Sequence, residues 1–139
     1  MHLFYTPDIK GREYLFNKEE SRHIIRVLRR TIGDTIHHTD GKGNLFRSLI
    51  VKDNDKGCLV KTEEKIHEFG KRDFILSVAI APTKNIGRYE WFLEKATEIG
   101  IDFIIPFHSF HSERKTIKVE RLEKVIVSAM KQSIKAYKP

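Results

Sequence analysis

The fold is decided by residues 74–114, FILSVAIAPTKNIGRYEWFLEKATEIGIDFIIPFHSFHSER. The stretch opens with an apolar run from Phe74 to Ala81, which is too short for an average helix and is rich in Ile and Val. An apolar run without polar alternation is typical of a strand buried on both faces of a parallel sheet. Residues Ile101 to Phe107 have the same character and predict a second buried strand.

A helix is predicted between these two strands. Apolar residues recur at helical spacing from Tyr89 to Ile99, and Gly100 stands where a left-handed cap ends a helix. A strand, a helix and a strand within about thirty residues predict a βαβ unit with a right-handed crossover.

The loops after the two strands are the predicted site. Ligands of open α/β sheets bind beyond the carboxyl ends of the strands, which here are residues 82–87 and 108–115. Lys84 lies in the first loop and Arg114 in the second. If the strands are neighbours, the two cations converge on one rim, where an anionic ligand or an RNA backbone fits.

The first half of the chain begins with a predicted short strand, His2 to Tyr5, followed by a predicted helix. Asn17 and Glu20 form a capping-box pattern, and the helix is expected to run to about Arg30 with an apolar side from Ile24 to Leu28. Three arginines at spacings i, i+4 and i+7 then share one face, namely Arg22, Arg26 and Arg29. Either this face is simply solvated, or its guanidinium groups contact phosphates.

Three β-rich runs follow this helix, Thr35 to Thr39, Leu45 to Val51 and Cys58 to Ile66. The Asp-Gly and Asn-Asp-Lys-Gly clusters between them signal hairpins. Residues 1–70 therefore predict a small antiparallel barrel or sheet with one helix. The change to a βαβ pattern at residues 71–139 predicts a second domain, so the fold class is α+β followed by α/β.

Composition bounds the class of protein. The 139 residues carry a net charge of +7, and residues 114–139 alone hold 8 basic and 2 acidic side chains. A basic chain favours a polyanionic partner, with nucleic acid before a membrane surface. No apolar run approaches the ~20 residues of a membrane span, and no secretory signal is visible, so a cytoplasmic protein is expected. Cys58, the single cysteine, excludes an internal disulfide and is expected to be a buried structural thiol.

No complete catalytic or metal-binding signature is present. His108 and His111 lack an evident third ligand, and His37 and His38 alternate across a strand, so no metal site is expected. Glu94 and Glu98 lie on one helix face and are either an acid/base pair or a polar surface offset by a lysine.

The last predicted helix starts at Val119 and extends its apolar face to Tyr137. Four lysines fall together on the opposite side, namely Lys124, Lys131, Lys135 and Lys138. A solvated face and an RNA-binding face both remain open for this helix.

Several ordered motifs resemble one known family. They are HIIRVLRRTIGD (23–34), TDGKG (39–43), APTKNIGRYEWFLEKATEIGI (81–101), IPFHSFHSER (105–114) and RLEKVIVSAMKQSIKAYKP (121–139). Together they are similar to the RsmE family, the 16S ribosomal RNA uracil-N(3)-methyltransferases of the SPOUT superfamily. The resemblance implies a PUA-like barrel for RNA docking, followed by an α/β methyltransferase domain with a trefoil knot. It also implies a homodimer that uses S-adenosylmethionine to modify 16S ribosomal RNA of the small ribosomal subunit.

The resemblance and the basic faces together give a set of candidate site residues. The expected RNA-binding residues are Arg22, His23, Arg26, Arg29, Arg30, Lys84, Arg88, Arg114, Lys124 and Lys131. The residues expected near the active site are Glu94, Lys95, Glu113 and Gln132, and the catalytic candidates are Arg114 and Glu98.

One departure from the family pattern is large. Family members continue through segments that form the knot and most of the cofactor pocket, and nothing in this sequence matches those segments. We therefore expect the first βαβα part of the methyltransferase domain without its knot, no cofactor-binding residues in this chain, and no activity of the chain alone. Two rival functions are a stand-alone RNA-binding module without catalysis and a small anion-binding α/β protein unrelated to RNA.

Overall fold

Two sheets organise the chain, one in each half. The computed structural model describes residues 1–108 and 117–139. The chain divides into two units, Met1–Phe69 and Gly70–Pro139. The first unit holds a sheet of five strands and the second a sheet of two, and each unit is considered by itself below.

The sheet of the first unit is mixed. Its strands are β1 (Leu3–Tyr5), β2 (Glu13–Leu15), β3 (Thr35–Thr39), β4 (Leu45–Asn54) and β5 (Gly57–Ile66). Their order is β1-β3-β4-β5-β2. The short first strand, the three following predicted strands and the β4–β5 hairpin are confirmed, whereas β2 was not predicted. Register shifts between β4 and β5 add to the curl of the sheet.

The sheet is mostly antiparallel, as predicted, but one edge is parallel. Strand β1 pairs with β3 in parallel. A parallel pair needs a long crossover connection, and here β2 and the helix supply it, since both lie between β1 and β3 in the sequence. The pairing is set by residues more than thirty positions apart, such as Leu3 and His37, which local periodicity does not report.

The helix of the first unit, α1 (Lys18–Arg22), begins as predicted. The Glu20 backbone N–H donates to the Asn17 side-chain oxygen at 2.8 Å. The helix then widens into a π-helical turn, His23–Val27, and ends at the cap residue Leu28. The predicted end at Arg30 is therefore wrong. Val27, the last residue of this turn, is exposed, since a π-helical turn holds more residues per turn than an α-helix and shifts side chains from their α-helical positions.

The core of the first unit joins this helix to the sheet. Its buried members are Phe4, Phe16, Ile24, Ile36, Ile50, Cys58 and Val60. Burial raises the pKa of the Cys58 thiol to about 11, so the thiol stays protonated near neutral pH. The interpretation of this cysteine as a structural residue is consistent with its place in the core.

The second unit contains the predicted βαβ pattern followed by a helix. Its elements are β6 (Ser77–Ile80), α2 (Ile86–Ile99), β7 (Phe103–Pro106) and α3 (Val119–Gln132). Strands β6 and β7 pair in parallel. Tyr89 and Leu93 of α2 form a buried cluster with Leu122 and Ile126 of α3. Gly100 ends α2 with a φ of 103°, which confirms the predicted left-handed cap.

The two parallel strands are not buried on both faces, which corrects the prediction. Ile80 and Ile104 pack against the helix cluster, while Phe103 and Ile105 are more than half exposed. The residues before β6 are not in a strand, and Ile75 is 74% exposed. The described part of this unit has two strands, and its helix cluster packs against one face of them. Alternate residues of the strands, such as Phe103 and Ile105, point to the other face and therefore stay exposed.

Both helices of the second unit are shorter on their apolar side than predicted. Ile99 and Val119, which stand at helix ends, are exposed. Helix α3 ends at Gln132, and Ile134 has a φ of 55°, so Tyr137 lies beyond the helix and not on its apolar face. Trp91 is 62% exposed on α2.

Candidate nucleic-acid interface

The basic residues of the first unit gather around the end of its helix. Arg22 and Arg26 belong to the helix and its π-helical turn, and Arg29 and Arg30 follow directly. All four side chains are exposed, and the four residues together are called the arginine cluster below. They do not form the predicted row, because the π-helical turn breaks the i, i+4, i+7 spacing and Arg29 lies after the helix.

Arg29 has a strained backbone. Its φ of 54° lies in the left-handed region, where helix-ending residues are usually glycine. A side chain in this conformation costs about 1 kcal/mol. Two backbone hydrogen bonds fix the turn: the Leu28 N–H donates to the His23 carbonyl at 2.9 Å, and the Arg30 N–H donates to the Ile24 carbonyl at 3.1 Å.

Arg26 has a carboxylate partner that was not predicted from the sequence. Its guanidinium contacts Asp55 in the β4–β5 turn, with an Nε–Oδ2 distance of 2.9 Å and an Nη2–Oδ2 distance of 2.8 Å. The hydrogen bond from Arg26 lowers the pKa of Asp55. The two residues are 29 positions apart, so no local pattern reports the contact. The positive charge of Arg26, one of the four arginines of the cluster, is therefore neutralised locally by Asp55.

His23 is held at the surface by neighbouring rings. Its imidazole meets the ring of His2 edge-on, with centroids 6.4 Å apart, and the ring of Phe4 at 6.1 Å. Phe4 is buried. The aromatic contacts therefore attach an exposed histidine to the core beside the exposed arginines.

The adjacent histidines of β3 differ in their surroundings. His38 is fully buried, and its ring nitrogens lie 2.9 Å from the Thr6 hydroxyl and 2.7 Å from the Ser48 hydroxyl. Burial, with a smaller contribution from His37, lowers the pKa of His38 to about 4. His37 is partly exposed. Among residues 1–108 and 117–139, no group of three His, Cys, Asp or Glu side chains is placed to hold a metal ion.

In the second unit, Glu94 and Glu98 share one lysine. The Lys95 ammonium lies 3.3 Å from the Glu94 carboxylate and 3.4 Å from the Glu98 carboxylate. Hydrogen bonds to these two carboxylates raise the pKa of Lys95. The arrangement is that of a charged surface triad, which matches one of the two interpretations of the sequence.

The strand ends of the second unit lie at one edge of its sheet. Because β6 and β7 are parallel neighbours, their carboxyl ends point the same way. Lys84 follows the first strand on an exposed loop, and His108 is exposed just after the second. The candidates His111, Glu113 and Arg114 lie outside the described residues, so the convergence of Lys84 and Arg114 stays a prediction.

Helix α3 keeps only part of its predicted basic face. Lys124 is exposed and Lys131 is half-buried on the helix. Lys135 and Lys138 lie beyond Gln132, where the helix ends, so they do not belong to this face. Lys138 instead forms an ion pair with Glu123.

Two family descriptions match the chain in sequence order. A model of the RNA methyltransferase PUA domain matches residues 16–63, and a model of the RNA methyltransferase domain matches residues 71–139. No helix in the described parts of the chain combines the length and the apolarity needed to cross a membrane.

Solved structures give the same picture. A probable rRNA-methyltransferase from Porphyromonas gingivalis is 42% identical over 100% of this chain, with a TM-score of 0.90. A predicted RNA methyltransferase from Thermotoga maritima is 27% identical, with a TM-score of 0.82. A ribosomal RNA small subunit methyltransferase E from Neisseria gonorrhoeae, bound to S-adenosyl methionine, is 22% identical, with a TM-score of 0.83. Each match extends over the whole of this chain, but over only 58%, 62% and 59% of the length of the three matched chains, respectively.

Proposed function

The chain belongs to the family of RNA methyltransferases that carry an N-terminal PUA domain, and from this premise we propose that it acts in the methylation of ribosomal RNA. The observation that supports the proposal best is the 42% identity, over the whole chain, to the probable rRNA-methyltransferase of Porphyromonas gingivalis. In this proposal residues 1–70 are the RNA-docking domain, and residues 71–139 are the first part of the catalytic domain.

The reaction we propose is methylation of N3 of a uridine in 16S ribosomal RNA, with S-adenosylmethionine as the methyl donor. The fold shared with the Neisseria gonorrhoeae methyltransferase, which was solved with S-adenosyl methionine bound, supports the choice of donor. The proposal includes a SPOUT-type knot and a homodimer in the whole protein, the small ribosomal subunit as the partner, and a cytoplasmic location.

The described residues of this chain do not fit the methyl donor. A donor site in an α/β domain uses loops from several strand ends, whereas the described part of the second unit offers two strands. The residues after these strands, Lys84 and His108, are exposed to solvent. We therefore derive no methyl-transfer step from these residues and propose that the chain by itself is inactive.

The role we propose for these residues is to hold and orient the RNA. Positioning a reactive group in a productive geometry supplies a large part of many rate enhancements, and guanidinium groups suit phosphate oxygens. Arg22, His23, Arg26, Arg29 and Arg30 would contact RNA from the first unit. From the second unit, RNA contacts are proposed for Lys84, Arg88, Arg114, Lys124 and Lys131. Glu94, Lys95, Glu113 and Gln132 would lie near the active site, with Glu98 and Arg114 as catalytic candidates.

Salt-dependent binding tests the docking role. We expect the chain to bind a fragment of small-subunit ribosomal RNA, with log affinity falling linearly with log salt. The Arg22→Gln/Arg29→Gly double variant should bind more weakly and flatten the slope by about 1.4, because each lost contact to single-stranded RNA removes about 0.7. Its thermal stability should be unchanged or higher, since glycine accepts the positive φ of position 29 without strain.

A matched control distinguishes the effect of losing these particular arginines from the effect of lowering the net charge. The Lys52→Gln/Lys61→Gln variant also loses two positive charges, from exposed positions on β4 and β5. Its slope should change much less than that of the arginine variant. Equal slopes of log affinity against log salt for the two variants would show that the arginine cluster is an ordinary solvated surface. Equal affinity for RNA and for an unrelated polyanion such as heparin would favour the anion-binding rival.

A further inference from the structure

A cavity of about 200 Å³ opens in the first unit beside the arginine cluster. Its walls come from three places: the N-terminal residues with β1, the end of the helix, and the start of β3. Phe4, Leu28 and Ile36 supply apolar surface, and His2, Arg30 and His37 supply polar groups. None of the residues that line the cavity is acidic.

The apolar floor of the cavity is part of the fixed core. Phe4 and Ile36 are both buried members of the core cluster, and Leu28 packs against it. The floor is therefore anchored by the sheet on one side and by the helix end on the other. The apolar lining, which includes one aromatic ring, is therefore held in place by the core.

Arg30 reaches the cavity because of the unusual end of the helix. The left-handed conformation of Arg29 turns the chain back, and the Arg30 N–H closes on the Ile24 carbonyl. Within residues 1–108 and 117–139, no carboxylate forms an ion pair with Arg30. This distinguishes Arg30 from Arg26, which Asp55 neutralises. The arginine at the cavity thus keeps its charge available for an anion.

The size of the cavity limits what it can hold. Pockets for ligands of drug size measure about 300–1,000 Å³, so 200 Å³ is too small for a complete methyl donor. A single nucleobase is a small planar group that stacks on apolar and aromatic side chains. Burial and the charge of Arg47 lower the pKa of His37. His37 is therefore neutral near pH 7 and offers both a donor and an acceptor to a base edge.

We propose that this cavity binds one unpaired nucleotide of the RNA, with the base on the apolar floor and its phosphate on Arg30. The proposal rests on the proposed function, because it deepens the RNA-docking role of the first unit. It adds selectivity, since a base held in a duplex cannot enter the cavity.

The test compares single-stranded and duplex RNA of one sequence on the same variants. Thr35→Phe places a ring in the cavity, which Thr35 lines, and leaves every charge in place. Phenylalanine is favourable in a strand, and Thr35 is the first residue of β3. We expect this variant to bind the single-stranded oligonucleotide about tenfold more weakly, because base stacking is lost. Its affinity for the duplex and its salt slope should not change.

A second variant tests the phosphate contact. Arg30→Gln should weaken single-strand binding and flatten the salt slope by about 0.7, while Lys52→Gln, which removes the same charge elsewhere on the unit, should not reproduce the loss. A misfolded protein would lose affinity for both the single-stranded and the duplex RNA. The retained duplex affinity of Thr35→Phe therefore controls for folding.

The outcomes separate this proposal from the one on which it rests. If Thr35→Phe binds both RNA forms like the unmodified chain, the cavity proposal is overturned while RNA docking by Arg22 and Arg29 stands. If Arg30→Gln behaves like Lys52→Gln, the phosphate contact is overturned. Failure of the unmodified chain to bind either RNA form would overturn both proposals.

Discussion

His38 shows how one buried residue couples the sheet to pH. Its ring is stacked on the ring of Phe46, with centroids 5.0 Å apart, and both of its nitrogens meet hydroxyl groups. Hydroxyls can donate or accept, so Thr6 and Ser48 satisfy either neutral tautomer. They cannot offset the desolvation of an imidazolium, which is why burial lowers the pKa of His38 to about 4.

Acid should therefore destabilise the first unit between pH 6.5 and pH 4. The ordinary pKa of 6.5 applies to the unfolded chain, and the folded pKa is about 4. Within this window the unfolded state binds a proton at His38 that the folded state does not. The stability present above pH 6.5 is thus lost as pH falls, by up to about 3 kcal/mol. Urea unfolding followed at several pH values measures this loss.

The His38→Gln variant provides the control for this prediction. Glutamine offers one donor group and one acceptor but does not titrate, so the variant should unfold at similar urea concentrations at pH 6.5 and at pH 4.5, apart from contributions of other groups. An equally steep loss of stability in the variant and in the unmodified chain would show that His38 is not the source of the acid sensitivity.

At the scale of elements, the helix end and the β4–β5 turn are joined by the Arg26–Asp55 ion pair. The arginine side of the pair is exposed to solvent, so the pair adds little to stability. Its larger consequence is electrostatic. A carboxylate within 3 Å of the guanidinium competes with any RNA phosphate for the same donors.

Removing this carboxylate should strengthen RNA binding. Asp55→Asn removes the carboxylate that competes for Arg26, so we expect higher affinity and a salt slope steeper by up to about 0.7, because the guanidinium then gives its donors wholly to a phosphate of single-stranded RNA. Asp53→Asn is the matched control, because it removes the same charge from an exposed position on the same hairpin. Fluorescence anisotropy across salt concentrations measures both variants. If the two variants give the same slope, Arg26 takes no part in phosphate contact even when it is free.

The elements that local chemistry determines were predictable from the sequence. Alternating apolar residues and Asp-Gly or Lys-Gly turns predicted β3 to β5, Asn17 predicted the start of the first helix, and Gly100 predicted the end of α2. The π-helical turn was not predictable, since the apolar spacing of Ile24 and Leu28 fits an ordinary helix equally well. It displaced Arg29 from the predicted face, and the residue after it, Arg30, lines a cavity that the sequence did not show.

Non-local contacts account for the other differences at the candidate site. The sequence places Arg26 among phosphate-binding candidates, but Asp55 meets it across 29 residues. The parallel pairing of β1 with β3 brings His2 toward the start of β3, which no motif reports. Such contacts depend on topology, and periodicity carries no information on them.

Across the whole chain, the two units differ in how far their described apolar residues are buried. The sheet of the first unit has five strands and a buried core on one helix. The described part of the second has two strands, and Phe74, Ile75 and Phe103 expose most of their side chains. Apolar surface of this kind normally meets further protein. The chain also spans only about three-fifths of the solved structures that it matches.

The second unit should therefore fail to bind the methyl donor tightly. A pocket that encloses a nucleoside needs several loops around it, so that most of the ligand surface is buried. Here the described loops follow two strands, and the residues on them, from Thr83 to Asn85 and at Phe107 and His108, are exposed. Contacts from one side leave most of the ligand in water, and such contacts do not offset the loss of translational and rotational freedom on binding.

Calorimetric titration of the purified chain with S-adenosylmethionine measures this directly. We expect no saturable heat at ligand concentrations up to about 1 mM, which places the free energy of binding above about −4 kcal/mol. The ribosomal RNA small subunit methyltransferase E of Neisseria gonorrhoeae, whose crystal structure holds this ligand, serves as the positive control under the same conditions. RNA binding by the same preparation shows that the first unit is folded, so that a missing heat signal reflects the second unit. Micromolar binding with one donor per chain would contradict the prediction and would place a working donor pocket within these 139 residues.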